Sequence, residues 1–216
     1  MKKYMAELFG TFALVFAGTG AIIINDVFGG VITHVGIALT FGFVVMAVIY
    51  AIGDISGAHL NPAVSFGFWA SRRLQGRSVL PYIISQCSGA LLASLALRLL
   101  FIEHPTLGST LPAGTVVQSF VMEIILTGFL IFVILNVSSG AKEKGLMAGI
   151  AVGAVVGLEA LVAGPISGAS MNPARSLAPA LLSGNFNAIW IYMIAPIFGS
   201  YLAVMGCRGV RNKDCC

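Results

Sequence analysis

Residues 55–63 read ISGAHLNPA and residues 166–174 read ISGASMNPA, identical at seven of nine positions. A stretch this long, recurring in the second half of a chain of 216 residues, marks an internal duplication. What precedes each copy agrees with that. Glu7 in AELFGTFALVF and Glu123 in MEIILTGFLIF stand at nearly the same distance before Asn61 and Asn172. The repeat halves run over about 4–102 and 115–207, and together they make one domain, 1–216.

Of the 216 residues 58% are hydrophobic and 9% charged, a balance that excludes a soluble domain and makes the bilayer the solvent. A spanning helix needs about 20 mostly apolar residues. Six such runs lie near 4–25, 34–52, 79–101, 115–136, 146–163 and 186–207, three to each half. Because three is odd, the second half enters the membrane from the opposite side, so the repeats are inverted. The net charge of +4 is explained by placement. Lys2, Lys3, Arg72, Arg73, Arg77, Lys142, Lys144, Arg208, Arg211 and Lys213 all fall at the termini and in the 2–3 and 4–5 connections, which share one side. Asp26 and Glu103 hold the other. This asymmetry puts both termini in the cytoplasm and uses up the basic residues without a nucleic-acid ligand, leaving over only Arg98, near the end of a span, and Arg175. The short tails fit a cytoplasmic (plasma) membrane.

The duplicated motif follows the second span of each half, and what comes next is too short to cross. From Asn61 to Ser71, or Asn172 to Leu182, roughly 11 residues give about 16 Å of helix, half a bilayer. The expected fold is therefore all-α: six transmembrane helices and two re-entrant half-helices whose N-termini meet near the midplane. Irregular backbone at that depth is tolerated only where protein buries it or it lines a wet cavity, so the geometry predicts a pore. Asn-Pro-Ala suits the place. Asparagine is a favoured N-cap, proline at the first helical position gives up a hydrogen that would be unpaired anyway, and alanine lets the half-helices touch. The amides of Asn61 and Asn172 are left to donate, with Pro62, Ala63, Pro173 and Ala174 opening the two helices. Two positive helix ends behind these donors would orient a water and repel protons and cations.

The segments SGAHLNPAV and SGASMNPARS resemble the signature loops of the major intrinsic proteins, the aquaporins and glycerol facilitators. The resemblance covers nearly the whole chain, and it implies a homotetramer with one pore per subunit. It also implies a second constriction, which ungapped spacing from the motifs places at Phe41, Ala160, Ala169 and Arg175. Arg175 would bind passing oxygen atoms and reject cations. A snorkelling side chain is the alternative, as a lipid-facing ring is for Phe41. Where water-selective members carry histidine this chain has Ala160, which implies a wider, less polar opening. Where glycerol-selective members carry aspartate it has Ser176. The wording of AGPISGASMNPARSLAPAL and IWIYMIAP is similar to the plant nodulin-like intrinsic proteins and their bacterial relatives, which pass water, glycerol or uncharged metalloid acids.

The resemblance assigns Glu7 and Glu123 to holding the irregular loop backbone by hydrogen bonds; the His59 imidazole is expected to pack against its loop, a gate being the alternative. Glu159 stays unassigned; His34 and His104 read as interfacial residues without metal spacing. Gly149, Gly153 and Gly157 form a strip that lets the fifth span approach another closely. Cys87, Cys207, Cys215 and Cys216 offer no metal-ligand spacing. The expectation is a passive channel for water and small uncharged solutes, with no cofactor, no metal and no reaction. An inverted-repeat secondary transporter is the alternative.

Overall fold

The computed structural model describes residues 1–138 and 142–210. Arg211, Lys213, Cys215 and Cys216 lie outside the described residues, as do the side chains of Lys142 and Lys144. The described chain is helical throughout: α1 (Lys2–Val27), α2 (Thr33–Ser56), α3 (Pro62–Ala70), α4 (Gly76–Leu100), α5 (Val116–Val137), α6 (Lys142–Ser167), α7 (Pro173–Ser183) and α8 (Ile189–Val210). Six of these are long and apolar enough to cross a membrane, and α3 and α7 are the short ones between them.

The helices pack as two interlocked copies of one unit. α1 lies on α4 as α5 lies on α8, α1 on α2 as α5 on α6, and α2 packs on α6 across the pseudo-twofold axis. The half-helices swap partners between copies, α3 resting on α8 and α7 on α4, and the two touch each other at the centre. Glycine permits these close crossings. A Cβ on Gly42 would lie 2.7 Å from the Gly153 carbonyl oxygen, and one on Gly199 would lie 2.4 Å from that of Ile124. Of the strip 149–153–157, Gly153 and Gly157 lie against α2 backbone, whereas Gly149 leaves room for the Tyr50 ring.

α2 and α6 run about four residues past their apolar stretches. The apolar run ends where polarity rises, but a helix ends where its backbone turns. That happens at Gly57 and Gly168, both left-handed with φ of 87° and 81°. α6 consequently continues through Pro165, which lacks the N–H that would bond the Leu161 carbonyl. Nε2 of His34 on α2 lies 2.6 Å from that oxygen and replaces the missing donor. His34 is thus a tertiary helix brace, more specific than an interfacial residue.

Candidate pore and its supports

Each motif loop is strung between a buried carboxylate and a helix N-terminus. In the first half Glu7, fully buried, accepts through Oε1 from the Ser56 hydroxyl (2.7 Å) and the His59 N–H (2.9 Å), and through Oε2 from the Leu60 N–H (2.8 Å) and Gln86 Nε2 (2.8 Å). In the second, Glu123 accepts from the Ser167 hydroxyl (2.7 Å), the Ser170 N–H (2.9 Å) and the Met171 N–H (2.8 Å). Tyr82 and Tyr192 complete the frame by donating to the carbonyls of Ser56 and Ser167 at 2.8 and 2.7 Å. Ala58, Leu60, Ala169 and Met171 take positive φ, a conformation costing an L-residue on the order of 1–2 kcal/mol. Hydrogen bonds to a charged acceptor, roughly 1.5–3 kcal/mol each, offset it.

The backbone so held delivers the asparagines. Asn61 and Asn172 are extended N-caps. Oδ1 of Asn61 accepts from Ala63 N–H, and Oδ1 of Asn172 accepts from Ala174 and Arg175 N–H. Pro62 and Pro173 occupy the first helical positions, and Ala63 and Ala174 are buried where the half-helices meet. The amides differ from the expectation in one respect: they are not wholly free. Asn61 Nδ2 donates to the Met171 carbonyl at 2.7 Å, and Asn172 Nδ2 donates to the Leu60 carbonyl at 2.9 Å. Each asparagine therefore clasps the residue before the other, leaving one amide hydrogen apiece. The cause is the left-handed turn at Leu60 and Met171, which carries each carbonyl toward the opposite motif.

The far ends of the half-helices are closed symmetrically. Arg208 on α8 donates to the Ala70 carbonyl at the end of α3 (2.9 Å), and Arg98 on α4 donates to the Leu182 carbonyl near the end of α7 (3.0 Å). Cations at these C-termini complement both dipoles, whose positive ends point at the asparagines.

A cavity of about 60 Å³ passes these groups. Its apolar wall comes from matching stripes four residues apart, Phe41, Val45 and Ile49 on α2 and Val152, Val156 and Ala160 on α6, with Leu14, Leu130 and Ile134 between. Eight residues of helix amount to about 12 Å of passage. Asn61, Asn172, His59, Ala169 and Arg175 also border it, so the structure brings the motif residues and those expected at the constriction to one cavity. The guanidinium of Arg175 lies 5.2 Å over the Phe41 ring, and its Nη1 donates to the Gly108 carbonyl at 2.9 Å. Nε has no hydrogen-bond partner among the described residues. His59 stacks on Phe68 with ring centroids 4.4 Å apart, and its Nδ1 lies 3.1 Å from the Ser65 hydroxyl.

Several supports escape sequence reading. Gln86 bridges Glu7 and Ser65, while Thr110 donates to Ser176, which bonds Ser170. The identity of Ser56 with Ser167 inside the duplicated motif was the available signal for the serines. None existed for Gln86, whose counterpart, when Tyr82 is matched to Tyr192, is Pro196, or for Gly108, which acts through its backbone. Glu159 is buried on α6 next to Ala160, and neither carboxylate oxygen has a partner among the described residues.

An all-helical chain with six membrane-crossing helices around a narrow passage is an integral membrane protein. Residues 1–206 match the family Major intrinsic protein, and the chain belongs to that family. It is 49% identical over 201 residues to Aquaporin NIP1-1 of Zea mays, covering 93% of this chain and 71% of that protein. It is 44% identical over 215 residues to Nodulin-26 of Glycine max, covering 99% of this chain and 79% of that protein. The aquaglyceroporin of Plasmodium falciparum superimposes with a TM-score of 0.82 at 26% identity, over 94% of this chain and 93% of that one.

Proposed function

We propose that this protein is a passive channel, one domain of 1–216, through which water and small uncharged solutes such as glycerol or metalloid acids pass in single file while protons and ions are excluded. The observation that carries the reading is the cavity bordered by both motif asparagines and by Phe41, Ala160, Ala169 and Arg175. Apolar stripes give a permeant little to bind. The free hydrogens of Asn61 and Asn172, backed by two helix N-termini, turn a water at the centre and raise the energy of any cation there. Arg175 and Phe41 form the narrow outer ring, and small Ala160 and Ala169 widen it on the other side. Glu7, Glu123 and His59 support the loops.

The channel works as a homotetramer in a cytoplasmic membrane with both termini inside, performs no reaction and uses no cofactor or metal. The secondary-transporter reading is not favoured, since the relatives are named as aquaporins. Purified protein in liposomes, mixed rapidly with an impermeant osmolyte and separately with glycerol, tests this by light scattering. Fast, non-saturating shrinkage of low activation energy is expected; leakage no faster than in protein-free vesicles would refute it.

A further inference from the structure

The segment between α4 and α5 delivers Gly108, whose carbonyl is the acceptor given to Arg175. The turn is closed by the Ser109 N–H on the Thr106 carbonyl (3.0 Å) and followed by the Thr110 bond to Ser176, and a histidine holds its Leu107 corner. His104 is buried, and its Nδ1 accepts the Leu107 N–H at 3.0 Å. That bond requires the tautomer with its proton on Nε2, and Nε2 lies 3.4 Å from Oδ2 of Asp26 at the end of α1. Leu107 stands at φ 51° and Gly108 at 69°, with the Leu107 side chain fully buried beside Ile23 and Leu97. A non-glycine residue in this conformation persists only where its surroundings hold it. Here they include one hydrogen bond to an imidazole.

We propose that His104 is a positioning residue for Arg175 and makes the outer ring sensitive to pH on the face opposite the chain termini; this rests on the channel reading above. The charged groups facing His104 are three. The Asp26 carboxylate from α1 lies 3.4 Å from Nε2. The Arg98 guanidinium from α4 donates to the His104 carbonyl at 2.9 Å, and neighbouring Glu103 offers a second negative charge in the same segment. Protonation puts an N–H on Nδ1 against the Leu107 N–H. Two donors cannot bond, so the ring turns toward half-exposed Asp26 and the Leu107–Gly108 turn keeps only its Ser109 N–H to Thr106 carbonyl bond. Gly108 then no longer holds Nη1, and the guanidinium, with Nε already unpartnered, takes its acceptors from the pore and narrows it. The sign follows: the latch is intact while His104 is neutral and opens as pH falls.

Proteoliposomes with equal pH inside and out, assayed for osmotic water flux between about pH 8 and pH 5, should lose about fivefold in permeability at the acid end. His104→Asn supplies an oxygen in place of Nδ1 that accepts from Leu107 and cannot protonate, so it should conduct at all pH values without the acid loss. His104→Leu should behave at pH 7.5 as the unaltered protein does in acid. Hydrogen exchange of the 101–115 segment in purified protein, corrected for intrinsic rates, should rise in acid for the unaltered chain and not for His104→Asn. Flux that is flat with pH, or an acid loss surviving in His104→Asn, overturns the latch. A protein with no flux at pH 7.5 refutes the channel instead, and the exchange measurement then decides the latch alone.

Discussion

Gly18→Ala tests how tightly the proposed pore is fitted around Phe41. A Cβ at position 18 would fall 2.2, 2.4 and 2.6 Å from Cε1, Cζ and Cδ1 of Phe41. Carbon atoms rest at about 3.5 Å or more, so the ring edge must retreat by roughly 1.3 Å. The α2 backbone cannot yield, because Gly42 already packs against the Gly153 carbonyl. The ring's free side is the cavity. A shift of about 1.3 Å is roughly half the diameter of a water with its ~1.4 Å radius, enough to break a single file. Osmotic water permeability in proteoliposomes should fall on the order of tenfold, with unchanged insertion and thermal stability. Phe41→Ala on the same chain should restore flux, because it removes the ring that was displaced. A Gly18→Ala channel conducting at full rate, or a double variant that stays closed, would show that Phe41 is not the wall at this level.

Removing the His34 brace by His34→Ala should cost about 1 kcal/mol, and Pro165→Ala, which restores a backbone donor to Leu161, should recover it; additive losses in detergent melting curves would show the two are unconnected. Glu7→Gln should destabilise more than Glu123→Gln. Each Glu7 oxygen serves two donors whereas one Glu123 oxygen serves only Met171, so the new amide displaces about two bonds in one case and one in the other, about 4 against 2 kcal/mol; equal or reversed melting shifts would contradict the hydrogen-bond assignment. Ala160→His should narrow the outer ring and lower glycerol flux more than water flux, and equal losses of both would place residue 160 away from the constriction.

The six spans and two half-helices were legible because each is dictated locally. Apolar length marks a span, and Asn-Pro marks a helix start that too few residues follow. Inversion followed from counting, and the constriction residues came from the family resemblance, carried over by distance along the chain to the motif. Legibility ended where a partner comes from far away. His34 meets the carbonyl that Pro165 orphans 127 residues along. Arg98 appeared as a leftover charge, yet it closes α7 as Arg208 closes α3. The asparagine amides looked free because nothing in the motif announces that Leu60 and Met171 turn their carbonyls across the axis.

The sequence by itself determined the solvent, the number of crossings, the inversion and where the backbone must break, since hydrophobicity, proline and glycine act on their own neighbourhood. Only the tertiary structure decided how the pseudo-symmetry is broken at the proposed outer ring. Gly18 and Phe41 stand where the second half has Ile134 and Val152, a small residue making room for a large one across two helices. That exchange of volume is a property of packed surfaces, and no stretch of chain contains both of its terms.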